Sequence, residues 1–157
     1  HLNQQSLIDF WAGGKVFSLS DTLLPRKEMF GAQANRVTGA MIQKTTLYFS
    51  ADTLFSIDNL LIDWPFIQFF DKKMILLDHA LPDLSPGNTH LKADVLLLCK
   101  NPKVTIAECR KHFSFQWVVF DASNSQWQTE RWQQECENAG WSYHDVRSQG
   151  AWVWTIK

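Results

Sequence analysis

Trp117-Val118-Val119-Phe120-Asp121-Ala122-Ser123-Asn124-Ser125-Gln126-Trp127-Gln128 decides how this chain folds. Its first four residues form an unbroken apolar run, the mark of a strand buried on both faces. Five small residues, four of them polar, then break the run, and Ser125 to Gln128 has the spacing of a capping box, so a helix opens at Gln126. Trp132, Cys136 and Ala139 mark one face of that helix, and Gly140 stands where a left-handed C-cap belongs, which bounds the helix at Gln126 to Ala139.

The same grammar appears on both sides. Upstream, Val95-Leu96-Leu97-Leu98 is a second apolar run, followed by the turn pair Asn101-Pro102. Thr105 to Glu108 repeats the capping-box form, and Ile106, Cys109, Arg110 and Phe113 at i, i+3, i+4 and i+7 give a short helix with one apolar edge. Two central, parallel strands joined by that helix follow. Downstream, Trp141 to Val146 reads as a strand, Arg147 to Gly150 as a turn, and Ala151 to Ile156 as a closing hairpin strand with Trp152, Trp154 and Ile156 on one face. Trp117, Trp152 and Trp154, lying in strand patterns, are expected in the core.

Residues 1–80 are richer in strands. Ser6 to Phe10 and Lys15 to Leu19 flank Ala12-Gly13-Gly14, and Phe66 to Phe70 and Met74 to Leu77 flank Asp71-Lys72, so each pair predicts a hairpin. Glu28 to Val37 could form one short helix, and Leu81 to Asn88, with two prolines and a glycine, is the expected joining loop. The fold class is therefore α/β, with mixed β-sheets and flanking helices: a β-rich half at 1–80 and a βαβαββ half at 93–157. With 157 residues the chain suits one domain. Its longest apolar stretch, Leu60 to Phe70, is broken by Asp63, Pro65 and Gln68 and falls short of the roughly 18 residues of a membrane span, so a soluble domain is expected. A polar start without Met or a leader pattern reads as a piece of a longer protein.

A formal net charge of -1 argues against a general binder of phosphate backbones, which carries a basic stripe. Three widely spaced cysteines, Cys99, Cys109 and Cys136, lie within strand or helix patterns and are read as buried free thiols. A zinc hydrolase would announce itself by clustered ligands such as His-x-His-x-Asp-His, whereas His79, His90, His112 and His144 are scattered singly. Asp78-His79 and His144-Asp145 each pair an imidazole with a carboxylate in sequence, but neighbours on a strand face opposite ways, so neither forms a dyad without a bulge. No serine stands in a Gly-x-Ser-x-Gly elbow, and Gly13-Gly14 lacks the lysine of a phosphate loop. Asp121, Ser123 and Asn124, between a buried strand and a helix, occupy the place where open α/β sheets collect ligands, and they are the candidate binding residues. Helix capping by Ser125, with Asp121 and Asn124 holding turn amides, accounts for the same residues without a ligand.

The words Trp117 to Ser125, Trp132-Gln133-Gln134-Glu135-Cys136 and Tyr143-His144-Asp145-Val146 leading to Gln149-Gly150-Ala151 resemble the tail of the metallo-β-lactamase-like domain of ComEC-type DNA-uptake proteins, in particular its Bacteroidetes branch. Ser6 to Lys15 resembles the hairpin that opens the soluble C-terminal region of that branch. The resemblance implies a partial or degenerate metallo-β-lactamase-like fold. It also implies an inner-membrane parent that passes single-stranded DNA into the cell, with this piece extramembrane on one side or the other. The partners it implies are the transmembrane channel portion of the same protein and single-stranded DNA, with no cofactor. Because the family's metal-binding words are missing, a non-catalytic structural or docking role is the leading expectation. A hydrolase or nuclease with a displaced metal site built from Asp78, His79, Asp121 and His144 is the second, and an unrelated α/β interaction domain the third.

Overall fold

The computed structural model describes residues 6–20, 43–48, 54–79, 81 and 90–156. Its contacts divide the chain into two compact units, His1–Ala51 and Asp52–Lys157. In the first, β1 (Leu7–Ala12) and β2 (Lys15–Ser20) form the expected antiparallel hairpin. Gly13 and Gly14 both adopt positive φ, as a two-residue turn with the twist of its strands requires. A third strand, β3 (Gln43–Tyr48), pairs parallel with β2, which becomes the middle strand; its residues from Val16 to Ser20 are all buried. The helix expected over Glu28 to Val37 lies outside the described residues, as does the loop from Leu81 to Asn88 apart from Leu81 itself.

The second unit is built on a seven-stranded sheet. Strands β4 (Leu54–Ile57), β5 (Leu60–Asp63), β6 (Phe66–Phe69) and β7 (Lys72–Leu77) form an antiparallel meander. Among the described residues β8 (Leu91–Lys92) pairs with β10 (Phe113–Ser114) in a small separate ladder. β9 (Val95–Leu98), β11 (Trp117–Phe120) and β12 (Ser142–Asp145) continue the large sheet in parallel from β7. The strand order β12-β11-β9-β7-β6-β5-β4 draws on both halves expected from the sequence and follows the chain without reversal.

Because both crossovers move in the same direction and such connections are right-handed, helices α1 (Ile106–His112) and α2 (Gln126–Ala139) lie on one face. There Ile106, Cys109, Trp132 and Cys136 pack on Ile75, Leu77, Leu96, Leu98, Val118 and Phe120. Trp132 is fully buried, its ring 5.6 Å from that of Phe120 and its indole N–H donated to the Val104 carbonyl at 3.0 Å. Leu76, Val95, Leu97 and Val119 on the opposite face are buried as well, so β9 and β11 are covered on both sides, as their continuous apolar runs require. Both N-caps stand where the spacing predicts, but only the first closes as a reciprocal box, because the Ser125 amide donates to Asn101 instead of to Gln128. Thr105 and Glu108 form a reciprocal capping box, Ser125 caps α2, and Gly140 ends it at φ 67°.

Two expectations about aromatic residues fail. Trp117 is 41% exposed, because its register against Val95 and Ser142 places it on the face away from the helices, next to the edge strand β12. The closing hairpin does not form either. After β12 comes a short helix, α3 (Val146–Gln149), and residues 151–156 join no ladder. His144 of β12 meets the Gly150 carbonyl at 2.9 Å, and Lys72 of β7 lies over the Trp154 ring at 5.6 Å. Those two strands stand three places apart, about 14 Å at the usual strand spacing, and the four residues from Gly150 to Trp154 span about the same distance when extended. The tail therefore crosses the strands instead of pairing with one. It keeps the two-residue alternation, with Trp152, Trp154 and Ile156 half-buried and the residues between them exposed.

Candidate functional site

The loops that follow β9 and β11 meet at the C-terminal end of the parallel strands. Lys100 and Asn101 both turn into the left-handed region, with φ of 58° and 56°, a geometry that asparagine tolerates better than lysine. Side chains of the second loop hold that turn. Ser123 Oγ accepts from the Lys100 amide at 3.0 Å, and Asn124 Oδ1 accepts from the Asn101 amide at 2.8 Å. Asn124 Nδ2 donates to the carbonyls of Leu98 at 2.7 Å and Asp121 at 2.9 Å. In return, Asn101 Oδ1 accepts from the Ser125 amide at 2.7 Å.

Within its own loop, Asp121 Oδ2 accepts from the Ser123 amide at 2.8 Å. Ser123 and Asn124 are buried, 3% and 1% exposed, which fits side chains that satisfy backbone groups in place of water. Arg147, on α3, closes the outer side by donating through Nη2 to the carbonyls of Ala122 and Asn124. Its position is set by Asp145, a buried carboxylate that caps α3 by accepting from the Arg147 amide and also accepts from Ser148 Oγ at 2.6 Å and Gln133 Nε2 at 3.2 Å.

The three candidate binding residues thus come together, with their polar groups engaged by the two loops they join. Sequence reasoning missed Asn101 and Arg147 as members of the cluster. Asn101 was visible only as half of a turn signal, while Arg147 reaches the loop across more than twenty residues of sequence and left no local trace.

A family model described as the ComEC C-terminal domain matches residues 1–156. The chain belongs to that family. No curated protein and no solved structure matches it. The ComEC family is that of a competence DNA-uptake protein, and among the described residues of this domain no helix is long and apolar enough to cross a membrane.

The alternative metal ligands of this ComEC domain are dispersed. His79 Nδ1 does contact Asp78 Oδ1, at 2.7 Å, because β7 ends at Leu77 and the chain bends there instead of continuing as a strand, which corrects the expectation that these neighbours face apart. Yet His79 projects into solvent, Asp121 serves its own loop, and His144 turns to Gly150. Among the described residues no three His, Cys, Asp or Glu side chains converge. All three cysteines are buried and free, and desolvation pushes the thiols of Cys109 and Cys136 up to about 12, which keeps them protonated and unreactive.

Proposed function

We propose that this ComEC C-terminal domain is a non-catalytic docking module of the DNA-uptake protein, set against the transmembrane channel portion of the same protein and single-stranded DNA. The observation that supports this reading is the mutual engagement of Asp121, Ser123, Asn124, Asn101 and Arg147. At the sheet end where α/β proteins gather ligands, each of these side chains bonds to backbone groups of the two loops, so their polar atoms tie the loops together. The finer lineage, a degenerate metallo-β-lactamase-like fold of the Bacteroidetes branch in an inner-membrane parent, rests on the sequence words around Trp117 to Ser125 and on the lack of a clustered His motif.

Titration of the 157-residue chain with a single-stranded oligonucleotide at two salt concentrations, beside metal analysis after zinc and manganese exposure, tests the proposal. Docking to DNA predicts salt-sensitive, sequence-tolerant binding without cleavage. One tightly held zinc per chain, lost in His79→Ala or His144→Ala and accompanied by strand cleavage, would replace it with the displaced-site hydrolase.

A further inference from the structure

At the other end of the parallel strands, Arg110 in the last turn of α1 is enclosed by two rings. Its Cζ lies 4.2 Å from the ring centre of Phe115, just before β11, and 4.8 Å from that of Trp141, just before β12. Phe115 is buried, and Trp141 packs against the core. Arg110 itself is half-buried, and desolvation holds its pKa below the ordinary arginine value. No carboxylate among the described residues pairs with it, and its buried Nε has no protein acceptor.

A half-buried cation without an anion is costly, and two rings within cation–π distance offset part of that cost while leaving the Nε–H donor without a protein acceptor. Held over both rings, the planar fork is positioned for two parallel bonds to one oxyanion. Lys111 and His112 continue the basic run on the same turn and are exposed. Cations at a helix C-terminus are favoured by the helix dipole alone, which accounts for those two residues but not for a buried Nε without an acceptor.

We infer that Arg110, clamped by Phe115 and Trp141, is a phosphate-oxyanion site, able to take a free phosphate group or a phosphodiester of a nucleic-acid strand. A dianionic or repeated phosphate is favoured over a single carboxylate because Lys111, on the same last turn, adds a second cation near the guanidinium. The site lies at the strand ends opposite the Asn101–Asn124 loops and does not depend on the docking role proposed for the domain.

The test follows the arginine Nε–H and tryptophan indole N–H signals of the 157-residue chain by NMR, during titration with inorganic phosphate and, separately, with an oligothymidylate, at constant ionic strength against chloride. Saturable shifts of Arg110 Nε–H and the Trp141 indole are expected with at least one probe. Arg110→Lys keeps the charge and loses the planar fork, and it should weaken that binding about tenfold or more. Shifts with both probes assign a general phosphate site; shifts with the oligonucleotide alone assign the strand as the source. Saturation that leaves Arg110 Nε–H unmoved, no saturation with either probe, or equal affinity in a folded Arg110→Lys overturns the assignment. The first of these outcomes, with oligonucleotide bound elsewhere, leaves DNA docking by the domain standing. If Arg110→Lys fails to fold, the shift map of the parent chain decides alone.

Discussion

The two ends of the large sheet use apolar residues in different order, and the difference reports how many faces are covered. In the helix-bearing part, Val95–Leu98 and Val118–Phe120 are buried without a break. In the meander, β5 alternates, with Leu60 and Ile62 buried and Leu61 and Asp63 exposed, and Leu54 on the edge strand is 75% exposed. Leu54 and Leu61 share the face on which α1 and α2 cover β7, β9 and β11, so there the outer strands β4 and β5 leave apolar side chains exposed. Continuous runs mark strands between two layers, and alternation marks strands with one.

The largest expected break in this comparison is Trp132→Ala. It removes a fully buried indole from between helix and sheet and should cost about 3 to 5 kcal/mol, read by denaturant unfolding. A loss below about 1 kcal/mol would show that the helix layer does not anchor the sheet. The matching substitution Trp117→Ala, on the opposite face and 41% exposed, should cost only about 1 kcal/mol.

The loop junction gives intermediate to small effects. Asn124→Ala leaves the Asn101 amide without its acceptor and should cost about 1 to 3 kcal/mol. Ser125→Ala removes a cap whose bond to the Gln128 amide is long, 3.4 Å, and belongs at the low end of about 0.5 to 2 kcal/mol. Equal thermal shifts for these two variants would mean that the junction contributes no more than an ordinary cap. Smallest is a pH effect at α1. The bond from the Thr105 amide holds Glu108 below its ordinary carboxylate pKa, so its contribution is present at neutral pH and is lost as pH falls through that lowered value. The melting-temperature gap between the parent and Glu108→Gln should therefore close on acidification, and a gap constant with pH would remove the carboxylate from the capping account.

Much of the helix-bearing part was legible because its signals are local. Thr105, Glu108, Ser125 and Gly140 act within one helical turn of the backbone groups they satisfy, so their spacing alone bounds α1 and α2. The hairpin at Gly13-Gly14 was legible for the same reason. Trp117 was misplaced because an apolar run does not say which of its residues lies beside an edge strand. Residues 151–156 were misread because two-residue alternation records extended backbone against an apolar surface, whether or not a ladder forms. Of the candidate site, Asp121, Ser123 and Asn124 could be read as a strand-end loop, but their partners could not.

The sequence by itself determined the α/β class, the two capped helices, the continuous apolar strands between them and the resemblance to the ComEC C-terminal region. Those features depend on neighbours a few residues apart or on words read in order. Only the tertiary structure decided that Asn101 and Asn124 lock two loops together, that Arg147 closes them, that the aromatic tail crosses the strands and that Arg110 lies between Phe115 and Trp141. Each of these joins side chains from separate elements, and their meeting is set by strand order and crossover hand, which no local pattern encodes.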